Sequence, residues 1–158
     1  MKSVLISIRP KWCEKIASGE KTIEVRKTAP EEVPFKAYIY QTKSKDNSIY
    51  KRYKVNDIKS GKVIGEFICD EVEELHEWEL SPQGKFADFE RERLENFLTA
   101  ACLSEEEVVR YRENLPYYKP LYGWHISDLK IYDKPLSLSE LGVNRPPQSY
   151  MFVEEVEQ

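Results

Sequence analysis

No apolar stretch in this chain outlasts a short strand. Val4 to Arg9, Phe35 to Thr42 and the segment LYGWHISDLKIYD beginning at Leu121 are rich in β-branched and aromatic residues, and each is soon followed by proline, glycine or a polar segment. Runs of this length fit strands and fall well short of the roughly 18 apolar residues that signal a bilayer-crossing helix. Many short strands with few helices bury their apolar faces by packing sheet on sheet or by curling one sheet round. Core material is sufficient, because 41% of the residues are hydrophobic and 12% aromatic, which excludes a disordered chain. A length of 158 residues then fits one domain, expected to span 1–158.

The punctuation orders the elements. Pro10 ends the first strand and occupies a first helical position, Trp12, Cys13, Ile16 and Ala17 follow at helical spacing, and Gly19 supplies the stop. A strand over Lys21 to Lys27 comes next, with Thr22, Glu24 and Arg26 on one face and Lys21, Ile23, Val25 and Lys27 on the other. Phe35 to Thr42 forms a third strand, and Lys62 to Leu75 contains a fourth with Gly65 as a bulge or point of close approach. Residues 87–114 are helical in pattern: Phe89, Leu94, Phe97, Leu98 and Ala101 make a stripe, and Ser104 with Glu107 makes a capping box for a second helix. Strands resume after Pro116 and Pro120 and end with Tyr150 to Val153. The order β, α, β, β, β, α, α, β, β predicts an α+β fold, a partly closed mixed β-barrel.

Charge is divided along the chain. Residues 1–62 hold 15 Lys+Arg against 7 Asp+Glu, whereas residues 63–158 hold 9 against 21. A basic face for an anionic partner is one reading of this asymmetry, and an unevenly charged solvated surface is the other. Cys13, Cys69 and Cys102 are odd in number and lack a CxxC pair, and His76 and His125 match no ligand spacing. The cysteines are expected to be core residues, and no disulfide, metal or cofactor is expected. Arg9 and Lys11 interrupt the first apolar stretch too early for a secretory leader, so a cytoplasmic location without membrane association is expected.

One segment is more specific than the rest. Gly19-Glu20-Lys21-Thr22-Ile23-Glu24-Val25-Arg26 reads GxKxxExR and follows a strand and the helix that begins Pro10-Lys11-Trp12. The segment resembles the ASCH domain family, in which a strand, a short helix and this signature open a PUA-like β-barrel. The IYQT segment, the GEF strand at Gly65 to Phe67, the YGWHI strand at Tyr122 to Ile126 and the terminal PPQSYMFVEE resemble later strands of the same family. The resemblance implies a PUA-like barrel with a short helix after the first strand, a two-helix insertion at about 87–114, and a cleft for modified bases or RNA beside the signature. With 15 acids between Glu66 and Glu113, that helical region reads first as a solvated surface, with a cover for the cleft or a partner contact as the alternatives.

The signature also has a chemical logic of its own. Two residues apart on a strand, Glu24 and Arg26 leave the same face; a carboxylate accepts from the amino edge of a base, and a guanidinium offers a planar donor pair to phosphate or carbonyl. A surface ion pair between them, contributing about 0 to 1 kcal/mol, is the plainer alternative. Lys21 sits on the opposite parity but follows a helix cap, where twisting can bring it to the cleft. Trp12, Tyr40, Tyr122 and Trp124 are candidates for base stacking against a default of core packing. Gln41 and Thr42 end a strand near the expected cleft and can hydrogen-bond a base edge, as can Ser149, although capping a strand end suits Ser149 better. Lys43, Lys45, Lys51, Arg52 and Lys54, interleaved with Tyr50 and Tyr53, are candidates for contact with a nucleic-acid backbone.

Three functions follow from these residues and the resemblance. The first is binding of RNA or a nucleotide-like ligand in the cleft, in RNA metabolism or regulation. The second is a hydrolase of the kinds the resemblance brings, an amidohydrolase acting on acetylated cytidine or a ribonuclease, with Lys21 and Glu24 as catalytic candidates. The amidohydrolase members carry a threonine three residues after the signature lysine, a position held here by Glu24. The third is a protein-interaction or regulatory domain, whose partners the sequence leaves open.

Overall fold

A computed structural model of the chain describes residues 1–43 and 59–157. Lys45, Lys51, Arg52 and Lys54, with Tyr50 and Tyr53, lie outside the described residues. Five strands, β1 (Lys2–Ile8), β3 (Phe35–Gln41), β4 (Lys62–Cys69), β7 (Ser127–Leu136) and β8 (Tyr150–Val153), form one sheet in the order β7-β4-β3-β1-β8. A second sheet has the order β2-β6-β5, from β2 (Ile23–Arg26), β5 (Val72–Leu75) and β6 (Leu121–His125). Helix α1 (Pro10–Ala17) lies between β1 and β2, while α2 (Ala87–Ala101) and α3 (Glu105–Tyr111) lie between β5 and β6. Only β1 and β3 pair in parallel, Lys2 opposite Phe35 through Ile8 opposite Gln41; the other ladders are antiparallel. This is the expected α+β architecture, with the strands divided between two sheets.

The long apolar runs of β1 and β3 are explained by burial on both faces. One face packs Val4, Ile6, Ile8, Ala37 and Ile39 with α1 and with Trp124 of the smaller sheet. The other packs Leu5, Tyr38 and Tyr40 under Tyr132, Leu141 and Val143. A third cluster joins Ile23, Val25 and Leu121 to Leu94, Phe97 and Ala101 of α2 and Val108 of α3. The helical region is therefore seated on the smaller sheet. Gly123 of β6 permits that close approach, since a Cβ there would stand 2.6 Å from a ring carbon of Phe97. Gly65 is the expected irregularity: the β4–β7 register shifts beside it, and a Cβ would meet the Lys130 carbonyl at 2.5 Å.

Two expected strands divide. Lys62 to Leu75 breaks at Asp70-Glu71 into β4 and β5, and the run from Leu121 breaks at Ile126 into β6 and β7, each piece in a different sheet. Strands that change sheets turn the corners of such folds. At the second corner the Ile126 amide donates to the Thr22 carbonyl at 2.9 Å, and Asp128 takes a positive φ of 48°. The capping box is present as read, with the Glu107 amide donating to Ser104 Oγ at 3.1 Å and the Ser104 amide to Glu107 Oε1 at 3.2 Å. Cys13 and Cys69 are core residues; Cys102 is not, being a half-buried helix cap with φ 56°. Among the described residues no helix is long and apolar enough to cross a membrane, and no group of three or more His, Cys, Asp or Glu side chains is placed to hold a metal.

Candidate ligand-binding cleft

A cleft of about 850 Å³ opens where the end of β1, the first turn of α1, the GxKxxExR segment and α3 converge. Its floor holds Lys21, Glu24 and Arg26. Lys21 reaches the cleft because strand alternation does not yet apply to it. Its amide donates to the Lys15 carbonyl at 3.0 Å in the turn leaving α1, and β2 starts only at Ile23. The left-handed Gly19, φ 84°, makes that turn accessible without strain.

The three charges form a chain. Lys21 Nζ lies 3.9 Å from Glu24 Oε1, and Arg26 Nη2 lies 3.7 Å from Glu24 Oε2. Lys21 is 2% exposed and Glu24 5%, so the plainer alternative of a surface ion pair between Glu24 and Arg26 does not hold: the shared carboxylate is buried. Lys21 Nζ donates to the Ala101 carbonyl at 2.5 Å and rests 4.7 Å from the centre of the Trp12 ring. Burial pushes the Lys21 pKa below its ordinary value, with Glu24 opposing the shift. Arg26 Nη2 donates to the Ser7 carbonyl at 2.5 Å and ties β2 to β1. Ser7 in turn donates through Oγ to the Pro147 carbonyl at 2.6 Å and through its amide to the Ser149 carbonyl at 3.0 Å, which fixes the loop before β8 against the floor.

Glu24 Oε2 is the exception in this network. It is buried and accepts no hydrogen bond among the described residues, and Arg26 at 3.7 Å is too far to donate one. A buried carboxylate oxygen left without a donor is costly. The walls are polar and mainly cationic. Arg9 and Thr42 stand at the ends of β1 and β3, Arg110, Tyr111 and Glu107 project from α3, and Gln148 comes from the loop before β8. Burial raises the Tyr111 pKa, an effect partly offset by the Arg26 charge, and Lys27 Nζ lies 4.8 Å from the Tyr111 ring centre.

Of the residues singled out in the sequence, Lys21, Glu24, Arg26, Trp12 and Thr42 meet at this cleft. Trp124 and Tyr40 do not. Trp124 is 0% exposed in the inter-sheet core, where its Nε1 donates to the Thr28 carbonyl, and Tyr40 is buried on the far face of the larger sheet. Gln41 is buried off the cleft. Lys43 lies against the turn at Gly61, where an added Cβ would meet its Cε at 2.7 Å. His125 is half-buried and bonded to Glu73 Oε2 at 3.0 Å, away from the cleft. For the helical region the structure favours the cleft-covering alternative over the solvated surface, because α3 forms a wall of the cleft. Its signal was available: Glu107, Arg110 and Tyr111 are spaced i, i+3 and i+4 and share one helix face. Arg9 carried no comparable signal, since its place depends on how β1 meets α1.

The ASCH domain family model matches residues 6–113, which contain the whole signature and every element of the cleft except the loop before β8. The chain belongs to the ASCH domain family. That family is PUA-like and associated with RNA binding or hydrolase activity. Among solved structures, ASCH from Zymomonas mobilis superposes with a TM-score of 0.63 at 19% identity, covering 98% of this chain and 89% of that one. A tyrosine-to-phenylalanine variant of that protein gives a TM-score of 0.62 at 19% identity, with 98% and 92% covered. Its serine-to-alanine variant gives 0.61 at 19%, with 98% and 89% covered. At this identity the likeness is one of fold. No curated protein matched the chain.

Proposed function

We propose that this ASCH domain binds RNA or a nucleotide-like ligand in the cleft floored by Lys21, Glu24 and Arg26. The observation that carries the reading is the buried Glu24 Oε2, which has no hydrogen-bond donor among the described residues and belongs to a side chain lining a cavity large enough for a nucleotide. The exocyclic amine of adenine, cytosine or guanine supplies such a donor. Arg9, Arg26 and Arg110 bring guanidinium groups to the same space, suited to phosphate oxygens, and Tyr111 offers a ring against which a base can lie.

The test is calorimetry with the four ribonucleoside 5′-monophosphates on the full chain and on Glu24→Gln. Loss of one charged contact to a base edge is expected to weaken the amine-bearing nucleotides by about 1 to 3 kcal/mol. A wild-type chain that binds none of them, or a variant that binds them equally well, refutes the reading.

A hydrolase reading is supported by a different observation, the burial-lowered pKa of a lysine in the cleft. Against it, Lys21 Nζ is already engaged by the Ala101 carbonyl and by Glu24, and a positively charged lysine has no lone pair for attack. Incubation with N4-acetylcytidine separates the two readings. No turnover is expected, whereas deacetylation that disappears in Lys21→Met would make the cleft an active site.

A further inference from the structure

The connection from α3 to β6 contains Pro116-Tyr117-Tyr118-Lys119-Pro120, and its two tyrosines are 76% and 66% exposed. Their rings meet edge to face with centroids 6.0 Å apart. The backbone beneath them is held firmly. The Lys119 amide donates to the Pro116 carbonyl at 3.0 Å, closing a turn in which Tyr117 and Tyr118 are the central residues. Arg112, only 5% exposed, donates through Nη2 to the Pro116 carbonyl at 3.4 Å and to the Lys119 carbonyl at 3.1 Å. Desolvating a guanidinium costs free energy. Besides its ion pair with Glu77 at 3.8 Å, the buried cation thus fixes a turn whose aromatic side chains are exposed.

The position of the turn suggests what the rings meet. It leaves α3 just after Arg110 and Tyr111, which line the cleft, and it enters β6 beside the end of β2, where Tyr122 pairs with Arg26. Lys27, the next residue of that floor, lies over Tyr111. Lys27 and Tyr111 therefore meet where the chain leaves the cleft, and Tyr117, Tyr118 and Lys119 follow within eight residues of Tyr111, so that cations and aromatic rings occur together on this side. That combination suits a single strand, because aromatic rings stack any base and cations neutralise the backbone.

We propose that the Tyr117-Tyr118 turn is a stacking platform for the nucleotides that run on from the one held in the cleft, so that the ligand is a single-stranded RNA and not a free nucleotide. The proposal rests on the cleft reading and extends it. Its test uses the full chain, a fluorescein-labelled mixed-sequence RNA nonamer and the four ribonucleoside 5′-monophosphates. The double variant Tyr117→Ala/Tyr118→Ala is expected to bind the monophosphates as the wild type does and the nonamer about 5- to 150-fold more weakly for each base that loses its stacking partner. Tyr117→Phe/Tyr118→Phe keeps the rings and is expected to retain nonamer affinity. If the double alanine variant holds the nonamer as tightly as wild type while Glu24→Gln weakens it, the platform is overturned and the cleft reading stands. If the wild type binds the monophosphates but no nonamer, the platform falls and the cleft reading stands; if it binds neither, or Glu24→Gln changes nothing, both readings fall. A turn made to dock a protein partner would give the first of these overturning results.

Discussion

A double-mutant cycle on Lys21 and Glu24 tests whether the cleft floor is the coupled ion pair its geometry indicates. At 3.9 Å and an effective dielectric constant near 20, two unit charges attract by about 4 kcal/mol. Arg26, 3.7 Å from the same carboxylate, shares that attraction, and burial opposes it by penalising the lysine charge. Lys21→Met leaves Glu24 buried with only Arg26 for a partner and strips the Ala101 carbonyl of its donor. The expected loss is about 3 kcal/mol, which for a chain of this length lowers Tm by about 6 to 12 °C. Glu24→Gln leaves the Lys21 charge buried with the Ala101 carbonyl and the Trp12 ring but no counter-charge. Because each single change orphans the other group, the double variant should be more stable than the sum of the singles predicts, by about 1 to 3 kcal/mol. Urea unfolding of the four proteins at one pH measures this directly, provided the m values agree. A coupling below about 0.5 kcal/mol lies within ordinary additivity and would mean that the two charges do not sense each other. A Lys21→Met chain more stable than wild type would show that desolvation outweighs all of the pairing.

The depressed Lys21 pKa fixes a sign for pH. Between that pKa and the ordinary 10.5 the unfolded chain binds more protons, so wild type should gain stability over Lys21→Met as pH rises through this window, and a flat difference in urea titrations would refute it. Gly123→Ala drives a methyl against Phe97 at 2.6 Å and the Ile23 Cγ2 at 2.9 Å, and should cost about 1 to 3 kcal/mol by overpacking; an unchanged melting curve would show that α2 can lift from the sheet without penalty. Ser104→Ala removes the Oγ that accepts from the Glu107 amide and should cost about 1 kcal/mol. As α3 is a wall of the cleft, the same change should also weaken nucleotide binding, and calorimetry showing full affinity would separate the cap from the site.

What the sequence settled by itself was local. Pro10 and Gly19 bound α1 because one lacks an amide hydrogen and the other accepts a left-handed cap, and Ser104 with Glu107 starts α3 because their side chains meet the free amides of one turn. The GxKxxExR signature was readable for the same reason, as a run of contiguous residues. Tertiary structure decided the rest. Lys21 joins Glu24 in spite of its parity because it precedes β2, and its main partner, Ala101, is 80 residues away. Trp124 and Glu24 are register partners on neighbouring strands, yet Trp124 is swallowed by the space between two sheets while Glu24 opens onto the cleft. The divided strands at Asp70-Glu71 and Ile126 could not be seen in apolar patterning, since both halves of each run are equally strand-like and only the packing of the sheets assigns them to different ones. Likewise, the acids around α3 suggest solvent until the fold turns Glu107, Arg110 and Tyr111 toward Glu24 and Arg26. Patterning reports which face of an element is apolar; which elements then share a cavity depends on contacts too distant in sequence for any local preference to encode.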